Sequence, residues 1–220
     1  MSGNSRFISS AQSGPHGDLS DLLRRHLAHP FRKPLADYNR EAFAAALAAR
    51  DAWNPQAPLI VDAGCGVGWS TLRIAADFPD HFVFGVDQSV DRINRGKPLP
   101  LPVNATLVRA DLVDFWRLLA DNGIRLARHY NLYPNPWPKI GHLSRRWHGH
   151  PVFPAMLELG GILECRSNWK IYVDEFCFAA ARLTAKTIVS EPYLPEIVLT
   201  PFERKYINSG HALYRAQVRL

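Results

Sequence analysis

Residues 59–87 constrain the possible folds of this chain more than any other stretch. They open with an apolar run that leads into the carboxylate of Asp62. Glycine then alternates with small residues at three positions: Gly64, Gly66 and Gly68. A helix-like pattern covers 69–77, and a second apolar run ends in Asp87. This order of strand, glycine turn, helix, strand and acid is typical of the first half of a doubly wound α/β domain.

The residue types in this stretch suit a nucleoside-containing ligand. Glycine lets the backbone turn sharply and lets a ligand approach the peptide plane, because no Cβ stands in the way. Asp87 lies 23 residues after Gly64, close to the roughly 20 residues expected before a ribose-binding acid. A carboxylate there can accept hydrogen bonds from both ribose hydroxyls. We therefore predict that the glycines of the turn, Asp87 and the neighbouring Gln88 bind the cofactor.

The spacing and charge of the turn distinguish two classes of cofactor. A dinucleotide-binding turn follows the pattern G-x-G-x-x-G, whereas this turn follows G-x-G-x-G and continues with the bulky Trp69. Asp62 would oppose a pyrophosphate but suits a cationic ligand such as S-adenosylmethionine (SAM), which carries a sulfonium and an ammonium. Residues 62–68 resemble the first motif of class I SAM-dependent methyltransferases. NAD(P) binding and a tight turn without a ligand are the alternatives.

The length and net charge of the chain predict one domain with a basic surface. The chain has 220 residues and a net charge of +6, which favours a polyanionic partner such as RNA. Its three cysteines (Cys65, Cys165 and Cys177) lack metal-ligand spacing, so we expect reduced, buried thiols and no metal site. No signal-peptide core or membrane-spanning run is visible, so we expect a cytoplasmic protein that does not bind membranes.

The N-terminal part is predicted to differ from the rest of the chain. Residues 1–17 have no periodic pattern and are predicted to be mobile or to form an RNA-contacting arm. A short helix, Leu19–Leu27, overlaps a basic cluster interrupted by Pro30 and Pro34: Arg24, Arg25, His26, His29, Arg32 and Lys33. This cluster either contacts phosphates or forms a solvated helix face. We predict an arm over residues 1–40 and one main domain over residues 41–220.

The remaining elements follow from the same patterns. Further strands are predicted at Ala105–Arg109, Arg128–Tyr133, Ile162–Arg166, Thr187–Ser190 and Ala212–Leu220. Further helices are predicted at Arg40–Arg50, Val90–Arg95, Asp114–Ala120, Val152–Leu159 and Tyr172–Leu183. Lys97–Pro102 and Thr200–Tyr206 are predicted to be a proline-rich loop and a polar loop. These elements predict a doubly wound, mostly parallel, seven-stranded sheet.

A specific family resemblance appears after the fourth predicted strand. Tyr133–Lys139 reads Y-P-N-P-W-P-K and resembles the F-P-D-P-W-x-K segment of the bacterial tRNA (guanine-N7)-methyltransferases. The basic stretch that follows in that family is matched by His142, Arg145 and Arg146. Ser167–Trp169 resembles the family's T-D-W, and Thr200–Arg204 resembles its T-x-F-E-x-R. The likeness covers residues 58–215 and implies a class I methyltransferase (Rossmann-like) fold.

The resemblance implies roles for individual side chains. The SAM site would be lined by Asp62, Asp87, Asp111 and Asn135, and Asn135 is the candidate catalytic residue. The guanosine or the tRNA would be contacted by Lys139, Arg145, Arg146, Asn168, Thr200, Phe202 and Glu203. Asp111 has an alternative role, because an acid at this position can also N-cap the following helix.

Two departures from the family pattern bear on the acceptor. Asn135 and Asn168 stand where the family has Asp, and an amide offers one acceptor, two donors and no charge. Guanine N7 carries a lone pair and no proton at neutral pH, so its methylation needs neither a base nor a metal. The first hypothesis, based on the three matching motifs and the two basic clusters, is guanine-N7 methylation of tRNA. The alternatives are a related methyltransferase with another RNA base or a small-molecule acceptor, and a SAM- or RNA-binding module without turnover.

Overall fold

A computed structural model describes residues 4–29, 31–95 and 100–220. Within them, the strands are β1 (Leu59–Ala63), β2 (Phe82–Asp87), β3 (Ala105–Arg109), β4 (Leu126–Leu132), β5 (Ile162–Ser167), β6 (Glu191–Pro192) and β7 (Tyr214–Arg219). They form one seven-stranded sheet in the order β3-β2-β1-β4-β5-β7-β6. Strands β1 to β5 pair in parallel, and β7 is antiparallel to both β5 and β6. The predicted doubly wound, mostly parallel sheet is confirmed.

Helices connect the strands of the sheet. They are α1 (Leu19–Ala28), α2 (Asp37–Trp53), α3 (Trp69–Asp77), α4 (Val90–Asn94), α5 (Leu112–Asp121), α6 (Phe153–Glu158), α7 (Lys170–Thr184) and α8 (Pro201–Asn208). Two short 3-10 helices, Ile140–Arg145 and Trp147–Gly149, follow β4. Apart from the two segments corrected below, the predicted helices and strands lie within three residues of the observed ends.

The core explains why β1 and β2 are continuous apolar runs. Every residue of both strands is buried, as expected for parallel strands covered on both faces. Val61 belongs to the larger core, which also holds Phe115 of α5 and Phe176 of α7. Ile60 faces the opposite side and packs in a smaller core with Ile74 of α3. The two cores lie on opposite faces of the sheet, and the strand order places β1, with the glycine turn at its carboxyl end, near the middle of the sheet.

Part of the N-terminal segment packs onto the domain. Leu19 and Leu23 of α1 are buried in the larger core. Before α1, the hydroxyl of Ser10 donates to the carbonyl oxygen of Pro138 at 2.7 Å. The predicted boundary at residue 40 stays a prediction. Residues 1–3 of the predicted arm, Pro30 and residues 97–99 of the predicted proline-rich loop lie outside the described residues.

The segment predicted as a polar loop, Thr200–Tyr206, is instead the start of helix α8. The Thr200 hydroxyl accepts a hydrogen bond from the Glu203 amide at 2.9 Å, and the Glu203 carboxylate accepts one from the Leu199 amide at 2.7 Å. Pro201 occupies the first turn. Threonine followed three residues later by glutamate is a helix-start sequence, because the threonine caps a free amide of the first turn and the glutamate accepts from an amide at or just before the N-cap.

The prediction of a sixth strand at Thr187–Ser190 is wrong. The segment is irregular, and β6 covers only Glu191 and Pro192. Before it, the Lys186 ammonium donates to the carbonyl oxygen of Arg219 near the far end of β7. Pairing with β7 occurs where the Glu191 carboxylate forms an ion pair with the Arg215 guanidinium. The strand therefore begins one residue after the predicted segment ends, and none of residues 187–190 pairs with β7.

Candidate active site at the carboxyl edge of the sheet

The glycine turn leaves open space above β1. Gly64, Gly66 and Gly68 all have positive φ angles, 75°, 60° and 83°, which L side chains rarely adopt. A Cβ built at Gly64 or Gly66 would meet no other atom within 4 Å. The turn is held instead by its backbone, because the amides of Gly64 and Cys65 both donate to the carbonyl oxygen of Val86. The glycines thus expose peptide planes on which a flat ligand can lie.

Asp62 lies beneath this turn with one carboxylate oxygen unpartnered. The residue is 1% exposed, and its Oδ2 accepts hydrogen bonds from the hydroxyls of Ser70 and Thr71 at 2.6 and 2.7 Å. Its Oδ1 is buried and has no partner. Burial raises the pKa of Asp62 to about 6 despite the two hydroxyl donors, and the charge of Asp87 adds to the rise. A buried carboxylate with an orphaned oxygen fits a cationic ligand group such as an ammonium.

Asp87 joins the end of β2 to the glycine turn. Its Oδ2 accepts from the Gly66 amide at 3.0 Å, and its Oδ1 accepts from the Ser89 amide at 2.8 Å. Arg92 lies 3.7 Å from the same carboxylate. Each carboxylate oxygen can accept more than one hydrogen bond, so these contacts leave capacity for hydroxyl donors. The adjacent Gln88 is exposed.

Asp111 N-caps helix α5. Its Oδ1 accepts from the Val113 amide at 2.9 Å, and its own amide donates to the side-chain oxygen of Asn39. The capping alternative is therefore confirmed. The residue is half-buried at the carboxyl end of β3, and its place in the SAM site stays a prediction.

The loop after β4 presents the predicted catalytic residue at the surface. Tyr133 and Trp137 both have positive φ angles, 51° and 45°, so the loop is strained at two non-glycine positions. Between them, Asn135 is exposed, and its side-chain oxygen lies 3.4 Å from the Trp137 amide nitrogen. Lys139 and Arg145 are also exposed, and the Arg145 guanidinium lies 4.7 Å from the centre of the Trp137 ring. These side chains are accessible to a large substrate.

Arg146 is not at the surface, and its predicted contact with substrate is corrected here. The residue is fully buried. Its guanidinium donates to the Glu175 carboxylate at 2.6 Å, to the Gln12 side chain at 2.6 Å and to the carbonyl oxygen of Trp137 at 3.0 Å. A side chain enclosed in this way supports the loop from beneath and has no face left for RNA.

Of the residues at α8 that were predicted to contact the substrate, some are buried and one is exposed. Glu203 is fully buried, where it accepts from the Tyr133 hydroxyl at 2.7 Å and pairs with Arg166 at 2.9 Å. Burial and the Glu203 carboxylate raise the pKa of Tyr133 above its usual range. Thr200 is buried as the helix cap, whereas Phe202 is 52% exposed. The predicted substrate contact of Glu203 is therefore corrected to an anchor that ties α8 to the loop after β4.

Asn168, which follows β5, is half-buried beside His211. The register of the sheet brings the ends of β1, β2, β4 and β5 together, because Ala63 pairs with both Val86 and Asn131, and Leu132 pairs with Arg166. Asp62, Asp87, Asn135 and Asn168 therefore belong to one edge of the sheet. Sequence reasoning missed His211 and Glu175, and it named Tyr133 only as the first residue of the loop motif, without a role. The helix-start sequence at Thr200 was a local signal for this part of the site.

In the described ranges, no group of three or more His, Cys, Asp and Glu side chains is arranged to hold a metal ion. The same residues include no helix with the length and apolar character needed to span a bilayer. All three cysteines are buried, and none forms a disulfide.

The fold and the open glycine turn define the class of protein. The 16S rRNA methyltransferase KamB aligns with a TM-score of 0.55 and 16% identity, covering 86% of this chain and 95% of KamB. The 16S rRNA (adenine(1408)-N(1))-methyltransferase from Catenulisporales acidiphilia aligns with a TM-score of 0.52 and 19% identity, covering 85% and 95% of the two chains. The chain has the fold of the class I SAM-dependent methyltransferases.

Sequence comparison then identifies the family. A family model described as "Putative methyltransferase" matches residues 56–216, well over half of the chain. The chain belongs to this methyltransferase family.

Relatives that carry the name tRNA (guanine-N(7)-)-methyltransferase confirm the resemblance stated from the sequence motifs. The protein from Acinetobacter baylyi is 28% identical over 73% of this chain and 69% of its own length. The one from Aromatoleum aromaticum is 28% identical over 90% and 78%, and the one from Treponema pallidum is 29% identical over 72% and 65%. The chain thus spans between 65% and 78% of the length of these relatives.

Proposed function

We propose that this protein transfers the methyl group of SAM to N7 of a guanosine in tRNA. The observation that carries the proposal is the open glycine turn between two buried carboxylates, beside an exposed loop of the family's Pro-x-Pro-Trp type. The relatives named above supply the acceptor, since their names specify the guanine N7 position of tRNA.

The chain's own residues fit SAM. The unpartnered Oδ1 of Asp62 suits the ammonium of the methionine part, and Asp87 suits the ribose hydroxyls. The glycine turn offers peptide planes without side chains. When bound, SAM supplies an electrophilic methyl group on a sulfonium. A variant of the Catenulisporales acidiphilia enzyme was solved with SAM as cosubstrate, which agrees with this use of the fold.

Catalysis in this proposal rests on positioning. Guanine N7 has a free lone pair, so the protein need only hold it in line with the methyl group, and such positioning is worth about 7–11 kcal/mol in favourable cases. The strained loop with Asn135 and Trp137 lies where it can fix the purine. The buried Arg146 guanidinium holds the strained backbone of this loop in place by donating to the Trp137 carbonyl oxygen. A rigid loop costs no reorganisation when substrate binds.

Exposed cations adjoin this loop on the side of α1. The His26 ring lies 3.0 Å from the carbonyl oxygen of Gly149, which joins α1 to the basic segment after β4. The fold therefore brings together the two basic clusters that the sequence separates. The exposed side chains are Arg24, Arg25, His29, Arg32 and Lys33 of the first cluster, Arg145 of the second, and Lys139 of the loop itself. A surface of this kind suits the phosphate backbone of a tRNA, and the proposed activity implies a cytoplasmic location.

The experiment is methyl transfer from labelled SAM to unmodified tRNA, followed by nucleoside analysis. We expect the label in 7-methylguanosine. Label in another nucleoside, or only in a small-molecule extract, would show a related methyltransferase with a different acceptor. Tight SAM binding without methyl transfer to any acceptor would show that the protein is a binding module and not an enzyme.

Restoring the family's acid in the loop is expected to raise activity. Asn135→Asp should increase kcat/KM for tRNA by about three- to tenfold, because a carboxylate accepts from the guanine edge and balances the charge of the alkylated purine. The measurement is initial-rate methylation of tRNA. The control is Asn54→Asp, since Asn54 lies before β1 at the opposite edge and its oxygen already accepts from the Gln56 amide. A decrease with Asn135→Asp would indicate that Asn135 is adapted to a different acceptor.

A further inference from the structure

A chain of three polar groups connects the N-terminal segment to Asn168. The side-chain nitrogen of Asn168 lies 3.0 Å from Nδ1 of His211. The other ring nitrogen, Nε2, lies 3.2 Å from the backbone carbonyl oxygen of Ser5. His211 is only 7% exposed, so neither nitrogen has ready access to bulk water.

The carbonyl at one end fixes the direction of both hydrogen bonds. A backbone carbonyl can only accept, so Nε2 of His211 carries the proton and donates to Ser5. In a neutral imidazole the other nitrogen, Nδ1, is then an acceptor. The Asn168 group that faces Nδ1 must therefore be the NH2 and not the oxygen. This leaves the oxygen, Oδ1, as the group directed away from the ring.

We propose that His211 is a positioning residue that orients the Asn168 amide so that its oxygen faces the substrate base. The inference rests on the proposed function, because the N1–H and the 2-amino group of guanine can donate hydrogen bonds to this oxygen. It also explains how an amide can replace the family's carboxylate. Both oxygens of an Asp carboxylate are acceptors, so either one can face the base. An Asn has one acceptor oxygen, which faces the base only when another group binds the NH2 on the opposite side.

Contacts around His211 hold the ring and the carbonyl in place. The Phe7 ring stacks on the imidazole with the ring centres 4.2 Å apart and an interplanar angle of 11°. The Tyr206 ring lies 5.3 Å away. The Ser5 amide donates to the Ser209 hydroxyl at 3.0 Å. The orientation of Asn168 thus depends on residues at opposite ends of the chain.

A double-mutant cycle tests the role of His211. His211→Ala should lower kcat/KM for guanosine in tRNA by about tenfold or more, because the amide is then free to turn its NH2 toward guanine donors. The same substitution in an Asn168→Asp background should cost less than about threefold, since a carboxylate presents an acceptor in either orientation. A role limited to packing predicts an equal loss in both backgrounds, and that result would overturn the proposal. So would an unchanged kcat/KM in His211→Ala.

A second measurement does not depend on activity or on the folding of a variant. Long-range 1H–15N NMR of the histidine rings in the unmodified protein reports which nitrogen carries the proton. We expect the Nε2–H form for His211, and the Nδ1–H form would contradict the proposed orientation. If the unmodified protein leaves tRNA guanosine unmethylated, the proposed function fails by itself, while the NMR result still decides the direction of these hydrogen bonds.

Discussion

Asp62→Asn is expected to weaken SAM binding strongly while it stabilises the ligand-free protein above pH 6. The unpartnered Oδ1 is the proposed partner of the ammonium, and removing one partner of a buried charged pair costs about 2–5 kcal/mol, or about thirtyfold or more in affinity. Isothermal titration with SAM measures this loss. Asp77→Asn is a matched control, because Asp77 is exposed near the end of α3. An affinity within a few-fold of the unmodified protein would contradict the assignment.

The gain in stability has a defined pH dependence. Burial raises the pKa of Asp62 from 3.8 to about 6 in the folded state, so the folded protein binds this proton more tightly than the unfolded chain. Its contribution to stability is therefore present below pH 4 and is lost as pH rises through about 6. We expect Asp62→Asn to raise the free energy of unfolding by about 2–3 kcal/mol at pH 8 and to give no gain at pH 4. Urea unfolding at both pH values measures the difference, and equal effects at pH 4 and pH 8 would exclude this origin.

Glu175→Ala is expected to destabilise the fold by about 3–5 kcal/mol, because it leaves a buried guanidinium without its partner. Glu175 is fully buried and receives hydrogen bonds from Arg146, His148, Gln12 and the His16 amide at 2.6–2.9 Å. Burial opposes the charged carboxylate, but these donors prevail and lower its pKa to about 2. Its stabilising contribution is therefore present above pH 4.5 and is lost as pH falls toward 2.

A double substitution distinguishes the ion pair from simple loss of packing. Because an apolar pair avoids the unpaired charge, Arg146→Met combined with Glu175→Leu should cost less than the sum of the two single changes. Chemical denaturation of the four proteins gives the coupling energy. Additive effects would show that the two side chains are not coupled.

Local patterns in the sequence were enough to predict where the glycine turn and its two neighbouring carboxylates lie in the fold. The glycine turn, Asp62 and Asp87 lie within two adjacent strands and one connection, so spacing alone placed them. The start of α8 was also encoded locally, in Thr200 and Glu203, but its polar composition favoured a loop prediction. These parts depend on short-range rules of backbone geometry and capping.

The part of the candidate site that follows β4 and β5 depends on contacts between distant parts of the chain. In the sequence, Arg146 belongs to a basic cluster that is predicted to be exposed. Only the packing of α7 brings Glu175 against it, 29 residues away. The Ser5 carbonyl and His211 are 206 residues apart, and no pattern in either segment points to the other. A basic residue is usually exposed, and burial of this kind is decided by the tertiary fold.

A crystal structure with S-adenosylhomocysteine bound tests the central claim most directly. We expect the ribose within hydrogen-bond distance of Asp87, the adenosine along the glycine turn, and the ammonium beside Oδ1 of Asp62. A ligand bound away from these carboxylates, or an empty turn in crystals grown at saturating ligand, would contradict the methyl-donor site on which the proposed function depends.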